Sequence, residues 1–270
     1  MMIIQILKFG LKTIFPRSVF NYTRRIYRKI RYYIIINKYG GDAVWCPCCN
    51  GRFSEFTDFD FKKTYFNQTL FLNTYKNKMC RNCFSLPRHR ILAYYFTENR
   101  QKISPDKILM FSGEPVTVWF EANNYRYTTV DLFNRYADLK IDIQNIQFPD
   151  RTWSLIICNH ILEHVQDYKK SLQELRRVLT DNGILALAVP TDRNLAETYE
   201  DAVIVNEDDR REKFGQNDHL RVFGGDFVAI LTVSGFSVEI IDGNDLPVEI
   251  GPETGPASYD DNRVYICRKA

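Results

Sequence analysis

The amino-acid sequence predicts an α/β protein whose mainly parallel sheet has helices on both faces, preceded by a small module with paired cysteines and by a basic amphipathic helix. Three observations support this prediction: strand and helix patterns alternate from residue 105 onward, two C-x-x-C pairs precede them, and a basic segment opens the sequence. Of the 270 residues, 45% are hydrophobic and 26% are charged, which excludes a disordered chain and a multi-span membrane protein. We expect three parts, over residues 1–41, 42–92 and 105–270.

Charge is distributed unevenly along the sequence. The formal net charge is only +3, but residues 1–41 contain nine Lys or Arg and no Asp or Glu. Residues 42–92 contain eight basic and four acidic residues, and the remainder contains 19 basic and 29 acidic residues. A basic front and an acidic back favour an anionic partner for the N-terminal part.

The basic front predicts an amphipathic helix over residues 17–37. Apolar side chains recur there at intervals of three or four residues: Val19, Tyr22, Ile26, Ile30 and Tyr33. Three arginines share another face: Arg24, Arg28 and Arg31. Three interpretations are open, because such a helix can pack on its own protein, lie on an anionic membrane surface, or contact the phosphates of a nucleic acid.

The sequence shows neither a membrane span nor a secretion signal. No apolar run reaches the roughly 18 uncharged residues that a span needs. Lys8 interrupts the first apolar stretch, where a secretion signal would need an unbroken apolar core. We therefore expect a cytoplasmic, reducing compartment, with a peripheral membrane contact through residues 17–37 as one option.

Two pairs of cysteines predict a structural zinc site. Cys46 and Cys49 lie in the string CPCC, and Cys80 and Cys83 lie in CRNC. Each C-x-x-C turn presents two thiolates, and four thiolates complete the tetrahedral shell of zinc. A shell filled by thiolates has no open position for catalysis, so the predicted zinc ribbon contributes folding free energy. Cys48 is an alternative to Cys49 as the second ligand.

The second half alternates between strands and helices. Five strands are predicted: 107–113, 126–131, 139–143, 153–158 and 184–189. A helix stripe at intervals of three and four residues precedes the fifth strand and is expected to end at 181–183: Val165, Tyr168, Leu172, Leu175 and Leu179. In parallel sheets of this type, ligands bind where the strands end.

Candidate binding residues follow these strands. Gly113 allows close approach to a ligand, and Asp131 comes 18 residues later, near the spacing at which a carboxylate binds ribose hydroxyls. Asp142 and Ile143 follow the third strand, and Asn159 and His160 follow the fourth. The alternatives are structural, because an Asp at a strand end often caps the next turn, and His160 and His164 also suit the start of a helix.

Several strings resemble class I S-adenosylmethionine-dependent methyltransferases of the type 11 group. They are YTTVD (127–131), KIDIQNIQFPDRTWSLIICNHILEHV (140–165) and LQELRRVLTDNGILALAVP (172–190). The strings CPCC, CRNC, SLPRHR (85–90) and GQNDHLRVF (215–223) resemble a subgroup with an N-terminal zinc ribbon. The resemblance implies a Rossmann-like domain over 105–270 and two cofactors, S-adenosylmethionine and structural zinc.

The resemblance also implies which residues contact S-adenosylmethionine. They lie at the strand ends: Phe111, Gly113, Glu114, Asp131, Asp142, Ile143, Asn159 and His160. The family normally has a GxGxG turn after its first strand, whereas this sequence has PheSerGlyGluPro at 111–115. A single glycine, followed by a proline without an N–H, permits fewer close contacts between the backbone and the methionine part of the cofactor.

The implied reaction moves a methyl group from a sulfonium to an oxygen, nitrogen or carbon nucleophile. Positioning of the two reactants supplies most of the acceleration. His164 and His219 are the candidate proton acceptors, since imidazole titrates near neutral pH. The leading acceptor is a small molecule, a sugar or a surface-glycan precursor. Two alternatives are a ribosomal or transfer RNA held by the basic front, and an inactive adapter whose altered turn no longer binds the cofactor.

Overall fold

The computed structural model describes residues 17–60, 74–104, 106–250, 259–260 and 262–270. Side chains are described from residue 26, so Val19, Tyr22 and Arg24 of the predicted helix face lie outside the described side chains. Residues 61–73 of the predicted zinc ribbon also lie outside the described part. Everything below concerns the described residues.

The N-terminal module consists of two helices and two antiparallel hairpins. Helix α1 (Arg17–Tyr39) leads into strands β1 (Gly40–Cys46) and β2 (Gly51–Phe53), which form the first hairpin. Strands β3 (Thr57–Asp60) and β4 (Thr74–Met79) form the second. Helix α2 (Pro87–Glu98) follows, with a proline in its first turn, where no N–H is needed.

The remaining elements build the α/β domain. In chain order they are β5 (Ile108–Phe111), α3 (Thr117–Ala122), β6 (Tyr127–Asp131), β7 (Leu139–Lys140), β8 (Trp153–Asn159), α4 (Tyr168–Val178), β9 (Leu179–Ala188), β10 (Thr191–Asp192), β11 (Tyr199–Glu200), α5 (Glu207–Phe214), β12 (Arg221–Val222), α6 (Phe227–Val233), β13 (Phe236–Asp242), β14 (Tyr259–Asp260) and β15 (Arg263–Lys269). Seven of these strands form one sheet in the order β13-β15-β9-β8-β5-β6-β7.

Five neighbouring strands of this sheet, from β9 to β7, are parallel. Strand β15 pairs antiparallel with β9, and β13 pairs antiparallel with β15 at the edge. Side chains of β5 are buried on both faces, because Ile108 and Met110 belong to one apolar cluster and Leu109 and Phe111 to another. A strand covered on both faces must be apolar throughout, which explains the uninterrupted hydrophobic runs of β5 and β8. The predicted fold class, a Rossmann-like sheet with helices on both faces, is confirmed.

Two predicted boundaries are wrong. Helix α4 begins after Asp167, whose side chain accepts a hydrogen bond from the N–H of Lys170 at 2.8 Å, and it ends at Val178. Leu179 already lies in β9 and pairs with Trp153, so the chain leaves the helix before the predicted stop at 181–183. The third strand ends at Lys140, because Asp142 turns the chain and bridges to Asn145.

Helix α1 packs on the module with a face that the periodicity did not predict. Tyr32, Ile35 and Ile36 contact the hydrophobic core between the N-terminal module and the sheet. Arg28 forms an ion pair with Glu121 of α3, and Arg31 donates to the carbonyls of the Arg81–Asn82 turn at 2.7 and 3.0 Å. The predicted apolar face stays exposed: Ile26 at 41%, Ile30 at 55% and Tyr33 at 69%. Within the described residues, no helix has both the length and the apolar character needed to cross a membrane.

The N-terminal module and the sheet share one hydrophobic core. That core contains Phe53 and Cys80 of the module, Phe96 of α2, and Ile108 and Ile266 of the sheet. Residue 92, the predicted end of the zinc ribbon, lies within α2. The module therefore lies against one face of the sheet instead of projecting from it.

A fully buried arginine joins the two parts. Arg90 of α2 donates to the carbonyls of Lys78 and Ser85 in the module, at 2.7 and 2.9 Å. The same guanidinium donates to the carbonyl of Ile250, after β13, at 2.7 Å. It also lies over the ring of Phe56 at 4.0 Å. Buried guanidinium groups require such partners, so Arg90 fixes the distance between module and sheet.

Candidate functional site

The carboxyl ends of β5, β6 and β8 meet at one edge of the sheet, as parallel strands require. Two residues directly after strands take left-handed backbone conformations, Ser112 with φ 62° and His160 with φ 53°. Residues other than glycine rarely adopt this region, and such strain concentrates at functional sites. Gly113 is exposed, and a Cβ added to it would meet no atom within 4 Å. Open space therefore lies beside the turn that follows β5.

Glu114 in this turn is held by two other elements. Its carboxylate accepts a hydrogen bond from Asn159 Nδ2 at 2.6 Å and lies 3.7 Å from His89 Nε2 of α2. Burial acts to raise the pKa of Glu114, but the charge of His89, with smaller contributions from Arg88 and Asn159, lowers it below its ordinary value. An ionised Glu114 therefore connects the N-terminal module to the edge of the sheet. His89 was not predicted as a site residue, although it lies in the SLPRHR string.

Asp131 lies at the predicted place, at the end of β6, and is partly exposed. Its Oδ1 accepts hydrogen bonds from the N–H groups of Phe133 and Asn134, both at 2.8 Å. One carboxylate oxygen thus caps the following turn. Both bonds use Oδ1, so among the described residues Oδ2 is available to a ligand.

Other predicted cofactor residues are less accessible. Phe111 is 3% exposed and Ile143 is 4% exposed, and both side chains pack in the core of the sheet. Asp142 accepts a hydrogen bond from the N–H of Gln144 at 2.9 Å, which is the turn-capping role. Asn159 is 2% exposed and bonded to Glu114. Of the eight predicted residues, Gly113, Asp131, Asp142 and His160 present surface at this edge.

A cluster of one carboxylate and several imidazoles follows β8. Glu163 is fully buried, and its Oε1 lies 3.3 Å from His160 Nδ1 and 4.0 Å from His164 Nε2. The rings of His164 and His219 meet edge to face with their centroids 4.7 Å apart. The two histidines predicted as proton acceptors are therefore neighbours, although 55 residues separate them in the sequence.

Helix α5 and the loop after it bring His219 to this cluster. Gly215 ends the helix with φ 90°, a conformation suited to glycine, and the chain turns back toward β8. The N–H of Leu220 donates to the carbonyl of Glu163 at 2.9 Å. Arg221, 3% exposed, donates to the carbonyls of Leu162 and Val165 at 2.8 and 2.6 Å. These bonds attach the GQNDHLRVF segment to the segment after β8.

The two histidines differ in access and in protonation. His219 is 1% exposed, and burial lowers its pKa to about 4. The side chain of His164 is 30% exposed and lies 3.3 Å from Asp218 Oδ2. Burial acts to lower the pKa of His164, but the hydrogen bond to Asp218 and the charge of Glu163 outweigh burial and raise it. His164 is therefore the one of the two that solvent reaches.

The four predicted zinc ligands lie together in the N-terminal module. Their sulfur atoms are all within 4.8 Å of one another, with Cys46 Sγ 3.6 Å from Cys83 Sγ and Cys49 Sγ 3.7 Å from Cys80 Sγ. Tetrahedral zinc with Zn–S bonds of about 2.3 Å separates its ligands by about 3.8 Å, so the donor set fits the ion. Cys48 Sγ instead lies 3.2 Å from the carbonyl of His89, which favours Cys49 as the ligand.

Two surface cavities lie away from this edge. One, of ≈ 450 Å³, is lined by residues such as Asp150 and Arg177, and the other, of ≈ 510 Å³, by residues such as Tyr168 and Asp226. Neither includes a residue predicted to bind the cofactor. At the carboxyl edge, Gly113 opens to solvent.

A mainly parallel sheet with helices on both faces defines an α/β protein, and such proteins bind ligands at the carboxyl edge, where the strained turns and the partly exposed carboxylate of Asp131 lie. Residues 112–243, from the turn after β5 to the end of β13, match the profile of a family described as "Methyltransferase domain". This segment, 132 of the 270 residues, is similar to a methyltransferase domain.

Individual proteins match this chain over a short segment or at low identity. An uncharacterized protein of Methanocaldococcus jannaschii is 42% identical over 48 residues, which are 18% of this chain and 21% of that protein. The matched segment thus spans about a fifth of the length of this relative.

Among solved structures, the chain is similar to 1,6-didemethyltoxoflavin-N1-methyltransferase of Burkholderia thailandensis with bound 1,6-didemethyltoxoflavin and S-adenosylhomocysteine. The identity is 14%, the TM-score 0.44, and the match covers 68% of this chain and 76% of that one. It is also similar to an S-adenosylmethionine-dependent methyltransferase of Mesorhizobium loti, at 15% identity and TM-score 0.43, over 64% of this chain and 97% of that one. Both TM-scores are below 0.5, so these likenesses carry no argument about function.

Proposed function

We propose that the protein transfers a methyl group from S-adenosylmethionine to an acceptor bound at the carboxyl edge of the sheet. The match of residues 112–243 to the methyltransferase domain carries this proposal. The open turn at Gly113 and the available oxygen of Asp131 support it, because both lie within the matched segment.

Asp131 and Glu114 are the proposed contacts of the cofactor. A ribose hydroxyl can donate to Asp131 Oδ2, and a hydrogen bond to a charged group contributes about 1.5 to 3 kcal/mol. Glu114 is 9% exposed beside the open turn at Gly113, and its lowered pKa keeps it ionised, a charge that suits the ammonium group of the methionine part. S-adenosylmethionine supplies a methyl group on a positively charged sulfur. The protein then has to hold the acceptor in line with the carbon–sulfur bond and exclude water.

The proposed acceptor is a small molecule, a sugar or a surface-glycan precursor. RNA is the alternative, held by the basic residues of α1 and the N-terminal module. Phosphate contacts release counterions, so RNA binding would weaken steeply between low and moderate salt, whereas binding of an uncharged sugar would not. Titration of RNA and of sugar acceptors at two salt concentrations separates the two classes.

Calorimetry with S-adenosylhomocysteine tests the cofactor assignment. We expect Asp131→Ala to bind about 10- to 150-fold more weakly than the wild type, from the loss of one charged hydrogen bond. Asp131→Asn keeps an oxygen to cap the turn and loses the charge, so it separates ribose binding from folding. Asp106→Ala is the matched control, an exposed carboxylate before β5 at the opposite edge.

Two results would count against the proposal. No heat of binding for the wild type at millimolar ligand would reject methyl transfer and favour the inactive adapter. Equal affinity of Asp131→Ala and the wild type would reject the ribose contact.

We further propose that Cys46, Cys49, Cys80 and Cys83 hold a structural zinc ion, so that residues 42–92 form a zinc ribbon. The distances between the four sulfurs support this assignment. None of the seven cysteines of the chain forms a disulfide, which suits the reducing cytoplasm proposed for this protein.

The exposed face of α1 is proposed to contact an anionic membrane surface. Ile26, Ile30 and Tyr33 supply apolar area there, and Lys29 and Lys38 are exposed on the same helix. No acidic residue occurs in residues 1–41 to repel an anionic surface. An interfacial helix combines apolar and basic side chains in this way.

Flotation with phosphatidylserine vesicles tests the membrane contact. We expect the wild type to float and the variant with Ser at positions 26, 30 and 33 to stay in the dense fraction. A variant with Ser in place of the exposed Val203 and Val205 serves as the control and should float. Equal recovery of all three proteins in the floating fraction would reject the role of this face. Binding of RNA without flotation would assign α1 to nucleic acid.

A further inference from the structure

We propose that Glu163, His164 and His219 form a second metal site, which binds a divalent first-row cation such as Mn²⁺ or Zn²⁺ at the carboxyl edge of the sheet. One ligand atom from each of these residues lies within 4.8 Å of the other two. The site is separate from the four cysteines of the N-terminal module.

The first support is the state of Glu163. Its side chain is fully buried, and within the described residues neither carboxylate oxygen receives a well-aligned hydrogen bond. His160 Nδ1 lies 3.3 Å from Oε1, and His164 Nε2 lies 4.0 Å from it. Burying a carboxylate without such partners is costly unless a cation balances the charge. A bound metal ion would supply that balance.

Glu174 of α4 provides a comparison within the same chain. Its Oε1 accepts from Arg177 Nε at 2.8 Å, and its Oε2 accepts from the other arm of Arg177 and from the N–H of Ile146, both at 2.8 Å. Both oxygens of this half-buried carboxylate thus accept hydrogen bonds, as expected where a carboxylate has a structural role. Glu163 is more deeply buried, and among the described residues imidazole nitrogens at 3.3 and 4.0 Å take the place of aligned N–H donors, which suits a ligand for a cation.

The second support is the orientation of the two imidazoles. His219 Nδ1 donates to the carbonyl of Phe214 at 3.0 Å, which leaves Nε2 with its lone pair, buried and without a hydrogen-bond partner in the part of the chain that the structure describes. His164 Nδ1 faces Asp218 Oδ2 at 3.3 Å, and its Nε2 points toward Glu163. Metal-binding histidines are held in this way, with the outer nitrogen on a carbonyl or carboxylate and the inner nitrogen on the ion.

The third support is the donor set itself. Two histidines and one carboxylate bind divalent metals of the first transition row and leave coordination positions open for substrate or water. Ligand bonds of about 2.0 to 2.2 Å place neighbouring ligand atoms about 3 to 3.6 Å apart, so the site would contract from the observed separations of up to 4.8 Å on binding the ion. In this arrangement His164 and His219 are ligands, a different role from the proton acceptors suggested by the sequence.

The catalytic role of this site rests on the proposed methyl transfer. The open positions would take a hydroxyl group of the acceptor, and coordination lowers the pKa of a hydroxyl so that its proton passes to water. An oxygen lone pair then forms the new carbon–oxygen bond as the carbon–sulfur bond breaks. The electron pair of that bond stays on sulfur, which becomes a neutral thioether. The acceptor class that this chemistry favours is a hydroxylated small molecule, such as a sugar.

Binding of Mn²⁺ to the full chain tests the proposal, because Mn²⁺ prefers oxygen and nitrogen ligands and competes poorly for thiolates. Free Mn²⁺ is followed by electron paramagnetic resonance in protein that retains the zinc of its cysteines. We expect one Mn²⁺ per wild-type chain. Glu163→Gln and His219→Gln should each weaken binding at least 10-fold, and Asp218→Asn about 10-fold through the orientation of His164.

Glu197→Gln, at an exposed position, is the matched control and should bind as the wild type does. The thermal midpoint is a second readout: Mn²⁺ should raise it in the wild type and leave it unchanged in Glu163→Gln. The site is rejected if the wild type binds neither Mn²⁺ nor a second equivalent of Zn²⁺, or if folded Glu163→Gln binds as tightly as the wild type. Calorimetry with S-adenosylhomocysteine is independent, so Mn²⁺ binding without nucleoside binding would keep the site and reject the methyl transfer.

Discussion

The chain contains two clusters of metal-type ligands, and they differ in how their ligands are brought together and in what surrounds them. The four cysteines come from two local turns, and their sulfurs already stand at tetrahedral separations. Glu163, His164 and His219 come from segments 55 residues apart and offer three ligands. A closed shell in a core stabilises a fold, whereas an open set at the edge of a sheet leaves positions for chemistry.

Their surroundings support the same distinction. The cysteine cluster belongs to the core that joins the N-terminal module to the sheet, and Cys46 and Cys80 are completely buried. The second cluster lies beside the strained turn at His160, and the side chain of His164 is 30% exposed. Loss of the first cluster should therefore affect stability, and loss of the second should affect binding.

The largest effect is expected from Cys80→Ser. Zinc binding is folding free energy, so losing one thiolate should release the ion and lower the free energy of unfolding by at least about 4 kcal/mol. Because the module shares its core with the sheet, the loss should extend to the whole domain, beyond the local loosening expected of an isolated ribbon. Metal analysis and urea unfolding measure both effects.

Cys48→Ser is the control for this variant, since Cys48 faces the carbonyl of His89. It should keep its zinc. Zinc lost from Cys48→Ser and kept in Cys49→Ser would reverse the ligand assignment. A full zinc content in Cys80→Ser would reject the site.

A smaller effect is expected from Arg90→Met, which tests the connection between the N-terminal module and the sheet. The substitution leaves the carbonyls of Lys78, Ser85 and Ile250 without this donor and should cost about 2 to 5 kcal/mol. Zinc should stay bound, because the thiolates are unchanged. Arg52→Met, at an exposed position, is the control and should have little effect.

Two probes followed together make this test decisive. Zinc release and far-ultraviolet circular dichroism should coincide in the wild type and separate in Arg90→Met, where the module opens first. Coincident transitions in the variant would show that Arg90 does not couple the two parts.

The smallest effect is expected from Arg177→Leu, which removes the donors of the satisfied carboxylate Glu174. The hydrogen bonds of Arg177 lower the pKa of Glu174, so their contribution is present above the pKa of about 4.3 in the unfolded chain and is lost as the pH falls through the lower folded value. At pH 7 the variant should be about 1 to 3 kcal/mol less stable. The difference from the wild type should shrink below about pH 4.

Arg176→Leu provides the comparison for this prediction, since Arg176 donates to the carbonyl of Gly235 and to neither oxygen of Glu174. Urea midpoints across the pH range measure the effect. A difference for Arg177→Leu that stays constant with pH would show that Glu174 is not the group involved.

Much of the fold could be predicted from the sequence, because its signals are local. The apolar runs of β5 and β8 predict strands buried on both faces, and two C-x-x-C turns predict a four-sulfur cluster whatever lies between them. The predicted end of α4 is too late, because the spacing of Leu179 fits the apolar stripe of the helix. In the structure Leu179 pairs with Trp153 in the sheet. A contact between strands outweighed the local periodicity.

The candidate site was only partly predictable. Asp131 and Gly113 occupy the strand ends where the alternation of elements placed them. The contact of His89 with Glu114 depends on how the N-terminal module packs against the sheet, and no spacing in the sequence reports it. The periodicity of α1 identified the apolar face of Ile26, Ile30 and Tyr33, which stays exposed, whereas Tyr32, Ile35 and Ile36 of the apolar run at its end form the buried face.

By itself, the sequence determined the order of strands and helices, the strand-end carboxylate and the four thiolates, because each depends on residues close together along the chain. Tertiary structure alone decided that Arg90 joins the module to the sheet and that His219 reaches Glu163. Both depend on backbone groups distant in sequence, whose need for hydrogen bonds is met only once the chain has folded.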